Sequence, residues 1–153
     1  MKLLLFSDVH ENKKHCKNLV EYSKDADIVI GAGDFGNMRK GINSTVDILK
    51  PIEKPIILVP GNAESDDELK KACKGWYNAH VLHGNSVNIS GENFYGIGGG
   101  IPITPFGSWS WDFSDEEAEQ LLADLPQNGV LVSHSPPKDI LDRSSSGGHF
   151  GST

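Results

Sequence analysis

Four times along this chain a run of apolar residues stops at a polar turn. The first run, Lys2 to Phe6, gives way to Ser7-Asp8-Val9-His10, and the second, Asp27 to Gly31, breaks at Gly31-Ala32-Gly33-Asp34. A third, Pro55 to Pro60, ends in Gly61-Asn62-Ala63-Glu64, and a fourth, Gly129 to Ser133, in His134-Ser135-Pro136-Pro137. Short unbroken apolar runs bounded by turn residues predict buried strands. Between them the spacing turns helical. Cys16, Leu19, Val20 and Ser23 stripe a helix from Asn12 to Lys24, and Ile42, Val46 and Leu49 stripe another that Pro51 ends. Ser65 to Lys74 is a third, with Ser65 and Glu68 in capping-box positions. Strands alternating with helices at this spacing predict βαβ units and a sheet that is at least partly parallel.

From Ala79 the pattern shortens. Ala79 to His83, Ser86 to Ser90 and Asn93 to Ile97 read as brief strands of a meander forming a second layer of sheet, the last two joined by a hairpin at Gly91-Glu92. Gly98 to Gly107 is too rich in Gly and Pro for a regular element and reads as a long surface loop. Trp109 and Trp111 are expected to anchor that loop rather than to form a substrate platform. Ser114-Asp115-Glu116-Glu117 is a capping box opening a helix with a core face of Ala118, Leu121, Leu122 and Leu125, stopped by Pro126.

The totals narrow the class of protein. At 153 residues the chain is one domain, able to bury a core without staples. Cys16 and Cys73, its two cysteines, lie far apart without C-x-x-C spacing, which fits a reducing compartment. Only a handful of apolar residues precede Asp8, too few for a signal peptide, and no stretch reaches transmembrane length, so a cytoplasmic protein without a membrane partner is expected. A net charge of -7 argues against a basic nucleic-acid surface. Arg39-Lys40 and Lys70-Lys71 are too sparse to make one and read as solvated helix residues.

The strand ends carry the chemistry. In open α/β sheets ligands bind beyond the carboxyl ends of the strands, so Asp8, His10, Asp34, Asn62 and His134 should converge on one rim. Alternation along a strand would also aim Asp8 and His10 the same way. Two carboxylates, two imidazoles and a carboxamide suit Zn, Mn, Fe or Ni better than Ca or Mg. Asp or Asn after Gly is common turn chemistry when met alone. Its recurrence at four strand ends favours a metal site.

The ordered series D-x-H (Asp8, His10), G-D (Gly33-Asp34, with Asn37 following), G-N-x-E (Gly61, Asn62, Glu64) and S-H-S (His134) resembles the calcineurin-like metallophosphoesterase superfamily over nearly the whole chain. The resemblance implies an α/β/β/α sandwich, two mixed sheets flanked by helices. It implies two divalent metals that activate water for attack on a phosphate ester, which would be the chain's substrate. Asp8 and His10 would hold one metal, Asp34 would bridge, and Asn62 and His134 would hold the other. Asn62 and Glu64 of the third motif would serve catalysis.

Two departures from the family pattern stand out. Ala63 replaces the His of G-N-H-[DE], which is thought to protonate the leaving oxygen. General acid catalysis contributes ~10²–10⁴-fold, so phosphodiesters and good leaving groups are expected over alkyl phosphomonoesters. Spacing gives no support to His80 or His83 as a substitute. The late G-H-x-H motif is not found either. Gly148-His149-Phe150-Gly151 follows no apolar strand, and Ser146 to Thr153 resembles the loop that leads relatives into a final helix. The domain from 1 to 153 is therefore expected to be incomplete at its C-terminus, with weak metal binding, low activity and an open sheet edge inviting self-association. The alternatives are that His149 folds back as a ligand, and that the chain is a weakly catalytic or inactive interaction module, as the superfamily's retromer subunit is.

Overall fold

Strands rich in Ile, Val and Leu, joined by crossover helices, align in parallel, and the first half of this chain does so. The computed structural model describes residues 1–144 and 147–153. Its elements are β1 (Leu3–Phe6), α1 (Lys13–Ser23), β2 (Ile28–Ala32), α2 (Ile42–Leu49), β3 (Ile56–Val59), α3 (Asp66–Ala72), β4 (Ala79–Val81), β5 (Asn85–Ile89), β6 (Glu92–Ile97), α4 (Asp115–Leu121) and β7 (Val130–Ser133). One sheet has the order β1-β2-β3-β4 and is parallel throughout. The other has the order β5-β6-β7 and is mixed, with an antiparallel hairpin and β7 parallel to β6.

Period-two alternation assigns the faces. Val29, Ile56 and Leu58 point to the helix side and pack with Cys16 and Leu19 of α1, Val46 and Leu49 of α2, and Leu69 of α3. Ile28, Ile30, Ile57 and Val59 point the other way, onto Ile89, Phe94 and Val132 of the second sheet. Beyond that sheet, Ile97 and Ile101 pack on Ala118 of α4. The result is helices, sheet, sheet, helix, the expected sandwich. The helix starts follow their caps: Asn12 accepts from the His15 amide, and both Ser65 with Glu68 and Ser114 with Glu117 form reciprocal capping boxes. Both cysteines are free and buried, and burial pushes the Cys73 thiol up to about 12.

Several expectations need correction. The segment after Ala79 does not open the meander, because β4 pairs in parallel with β3 and completes the first sheet. The hairpin turns at Ser90-Gly91, both left-handed (φ 56° and 89°), rather than at Gly91-Glu92. β1 and β7 are edge strands and not buried ones. Leu3 and Leu5 lie on the inter-sheet face, yet Leu5 is 65% exposed, since β1 is the edge strand and β7 packs over its neighbour β2. Val130 and Leu131 of β7 are exposed as well, and Leu125 lies outside the core of α4. Among the described residues no helix is long and apolar enough to cross a membrane. The expectation for Ser146 to Thr153 falls partly on Ser146, which with Ser145 lies outside the described residues.

The two sides of the first sheet should respond differently to truncation. Leu58→Ala, at a fully buried position, should cost about 2–5 kcal/mol in urea unfolding, and Leu5→Ala less than about 1 kcal/mol. Equal losses would mean that β1 is covered in solution.

Candidate metal centre

The five residues at the strand ends do converge, although not by strand alternation. β1 ends at Phe6, and Asp8, His10 and Glu11 then take left-handed backbone conformations (φ 54°, 40° and 61°), as does Asp34 (φ 58°) after β2. Such conformations cost free energy in residues with a Cβ and persist where surrounding bonds enforce them. Here the two turns are laced together: the amides of Asp8, His10 and Glu11 donate to the carbonyls of Gly33 (3.0 Å), Asp34 (3.0 Å) and Phe35 (3.1 Å). Asp8 and His10 thus meet as expected, but a strained turn brings them together and not an extended strand.

Asp34 is the centre. Its side chain is 9% exposed, and each carboxylate oxygen faces a different group of side chains. Oδ2 lies 3.5 Å from His10 Nε2, which is 3.7 Å from Asp8 Oδ1. Oδ1 lies 3.6 Å from His134 Nε2, which is 3.3 Å from Asn62 Oδ1, and it also accepts from the Ala63 amide (2.9 Å). The imidazoles are fixed from behind. His10 Nδ1 meets the Gly36 carbonyl at 3.0 Å and His134 Nδ1 meets the Ala32 carbonyl at 2.7 Å. A carbonyl can only accept, so Nδ1 carries a proton, and in the neutral imidazole the Nε2 lone pair faces Asp34. Asn62 is oriented in the same way, its Nδ2 donating to Ser110 Oγ (2.8 Å) and its oxygen turned inward. With neutral imidazoles, these nitrogens and the carboxylate and amide oxygens at 3.3–3.7 Å are acceptors facing acceptors, an arrangement that a cation between them makes favourable. Asp8, His10 and Asp34 form a group whose ligand atoms all lie within 4.8 Å of one another. The donor set fits a divalent metal.

Glu64 takes a different place from that expected. It is buried, and its carboxylate accepts from the amides of Asp34 (2.8 Å), Phe35 (3.3 Å), Gly36 (3.0 Å) and Gly61 (2.8 Å). Burial pushes its pKa up, while the Gly36 and Gly61 amides pull the other way. With its oxygens so engaged, Glu64 fixes the turns after β2 and β3 and does not face the cleft. Gly61 leaves the space that Asp34 needs, since a Cβ there would stand 2.0 Å from Asp34 Oδ1.

A cleft of 380 Å³ opens beside Asp8, Asn62 and His134 and is walled by the loop after β6 and by His149 and Phe150. His83 does not enter it. That ring packs on Trp111 and Phe113, Nδ1 accepts from the Gly98 amide (3.1 Å), and burial pushes its pKa down. His80 lies on β4, also outside the cleft. His149 lines the cleft, but its Nδ1 is held by Asp142 Oδ1 (2.8 Å), with Asp139 Oδ1 at 3.4 Å, so it belongs to a separate group and not to the Asp34 cluster. Sequence reasoning missed Ser110 and Asp112. Asp112 accepts from Ser110 Oγ (2.6 Å) and so holds the group that orients Asn62. Its place in a loop with no periodicity gives no signal.

A parallel sheet stacked on a mixed one, with an Asp-centred donor set beyond the strand ends, defines a metallophosphoesterase-type architecture. The chain belongs to the calcineurin-like phosphoesterase superfamily, whose domain description matches residues 1–146. Members of that family bind divalent metals, and this chain retains a candidate ligand group. One crystal structure is 19% identical with a TM-score of 0.78, and the match covers 99% of this chain and 76% of that one. The crystal structure of TT1561 of Thermus thermophilus is 18% identical with a TM-score of 0.75, over 88% and 68% of the respective chains. At these identities the likeness concerns the fold. No curated protein sequence matches the chain significantly.

Two substitutions test the cradle. Gly61→Ala should lower Mn affinity at least tenfold by calorimetry, in the upper part of the ~10–100-fold range for residues supporting metal ligands. Glu64→Ala should cost about 3 kcal/mol or more in denaturant unfolding, since it leaves four buried amides unpaired.

Proposed function

We propose that this chain is a metal-dependent phosphoesterase that hydrolyses phosphodiesters in preference to alkyl phosphomonoesters, using two divalent transition metals such as Mn, Zn, Fe or Ni. The observation that carries the reading is the division of Asp34: one carboxylate oxygen faces His10 with Asp8 and the other faces His134 with Asn62. That arrangement supports two adjacent cation positions sharing Asp34. When bound, such metals polarise phosphoryl oxygens and activate water for in-line attack.

The chain's own residues do the positioning. The Gly36 and Ala32 carbonyls hold each imidazole by Nδ1 with Nε2 turned toward Asp34, and Ser110 Oγ accepts from Asn62 Nδ2, which leaves the amide oxygen turned inward. Asn62 serves the reaction as a ligand, and Glu64 as a positioning residue. Ala63 is 2% exposed and offers no proton to a leaving oxygen. An alkoxide of high pKa therefore departs without help, which supports diesters and esters with good leaving groups as substrates. The same residue favours a second reading, a protein of this fold that binds metal without brisk turnover and acts through partners.

Hydrolysis of bis(4-nitrophenyl) phosphate with and without Mn separates the two. The enzyme reading expects metal-stimulated turnover that Asp34→Asn and His134→Ala each reduce at least ~100-fold, at the upper end for residues supporting a metal site, with both variants folded by circular dichroism. Metal binding with no turnover above the variants would leave the interaction module.

A further inference from the structure

We propose that the cleft beside Asp34 takes a phosphate ester whose organic group is apolar and flat, an aryl ester in the simplest case, with a single phosphoryl group. The inference rests on the phosphoesterase reading and names the substrate class of that site. Three large apolar side chains that would ordinarily be buried stand open to solvent along one cleft: Ile103 is 67% exposed, Phe106 55% and Phe150 49%. Apolar groups exposed together in a concavity mark a ligand surface more often than single exposed ones do. Phe106 is also held ready, its ring stacked on Trp109 at 5.7 Å with an interplanar angle of 13°. A ring fixed before binding loses little entropy when a flat ligand lies against it.

The polar groups of the cleft point to the same class by what they are already doing. Thr104 Oγ1 donates to Asp112 Oδ2 (2.6 Å), and the Thr104 amide donates to the same oxygen (2.9 Å). Ser135 Oγ donates to the Gly99 carbonyl (3.1 Å) while accepting from the Ile101 amide (2.8 Å). His149 is held between Asp142 and Arg143, which donates to Nε2 at 3.2 Å. These groups serve the loops and leave few free donors for sugar hydroxyls. None of the described residues lining the cleft is Lys or Arg, so a second phosphate would find no counter-charge there. A single phosphoryl at the Asp34 cluster, carrying an apolar group against Ile103 and Phe106, satisfies both halves of the cleft.

Phosphonates test this without turnover or leaving-group effects. In calorimetric titration of the Mn-loaded full chain, phenylphosphonate should bind at least about tenfold tighter than methylphosphonate, the scale set by burying a good part of one ring. Phe106→Ala should bring that ratio to about threefold or less, and Ile103→Ser should lower it in the same direction. Both positions are exposed, so the fold should tolerate the changes. Equal affinity of the two phosphonates, or a ratio unmoved by both substitutions, overturns the apolar subsite while the phosphoesterase reading stands. If methylphosphonate and inorganic phosphate also fail to bind with Mn present, the phosphoesterase reading itself falls and takes this inference with it.

Discussion

One buried carboxylate ties the site to the fold. Glu64 accepts backbone amides from the turn after β2 and from the turn after β3, and so welds two loops that Asp34 also links by accepting the Ala63 amide. Hydrogen bonds to a charged acceptor in a dry interior are among the stronger ones a protein makes, and breaking them leaves amides with nowhere else to go. The donors of Asp34 and Gly61 are held by a common oxygen, Oε1. The turn after β2 also accepts the amides of the Asp8–Glu11 turn, which places three strand ends in one hydrogen-bonded assembly. The strained left-handed residues are tolerated because this assembly over-determines them.

Against that background the division of labour at the cluster is clear. Side chains that face the cleft present lone pairs, and the groups behind them present only acceptors or fixed donors. The Gly36 and Ala32 carbonyls, Ser110 and the Ala63 amide each remove one freedom from a ligand atom. A site prepared in this way loses little ordering entropy when a cation arrives. Beside it stands an exposed apolar wall, and none of the described residues lining the cleft is Lys or Arg.

Much of this was legible in the sequence because apolar runs and caps are local signals. The βαβ series, both capping boxes and the convergence of the five strand-end residues could be read from runs, spacing and turn residues. What could not be read was non-local. Ala79 to Val81 has the texture of a meander strand, and only its register with Ile56 to Leu58 assigns it to the parallel sheet. The exposure of Leu5 and Val130 depends on which strands face each other across the sandwich, and composition does not encode that. Glu64 looked like a reacting group because its motif has an acid there, and its four amide partners are visible only once the turns are folded together. Asp112 and Ser110 had no pattern to announce them.

The loop that walls the cleft also supports Asn62 of the Asp34 cluster. Ser110 holds the Asn62 amide at 2.8 Å, the Trp111 amide donates to the Asn62 carbonyl at 3.0 Å, and a few residues earlier the same loop presents Phe106. Asp112 fastens Thr104 and Ser110 together, which ties the wall to the support of the Asn62 side chain. The wall that carries Phe106 and the groups that orient the Asn62 side chain are thus parts of one loop, so a substitution in its hydrogen-bonded frame reaches the cleft surface and the Asp34 cluster together.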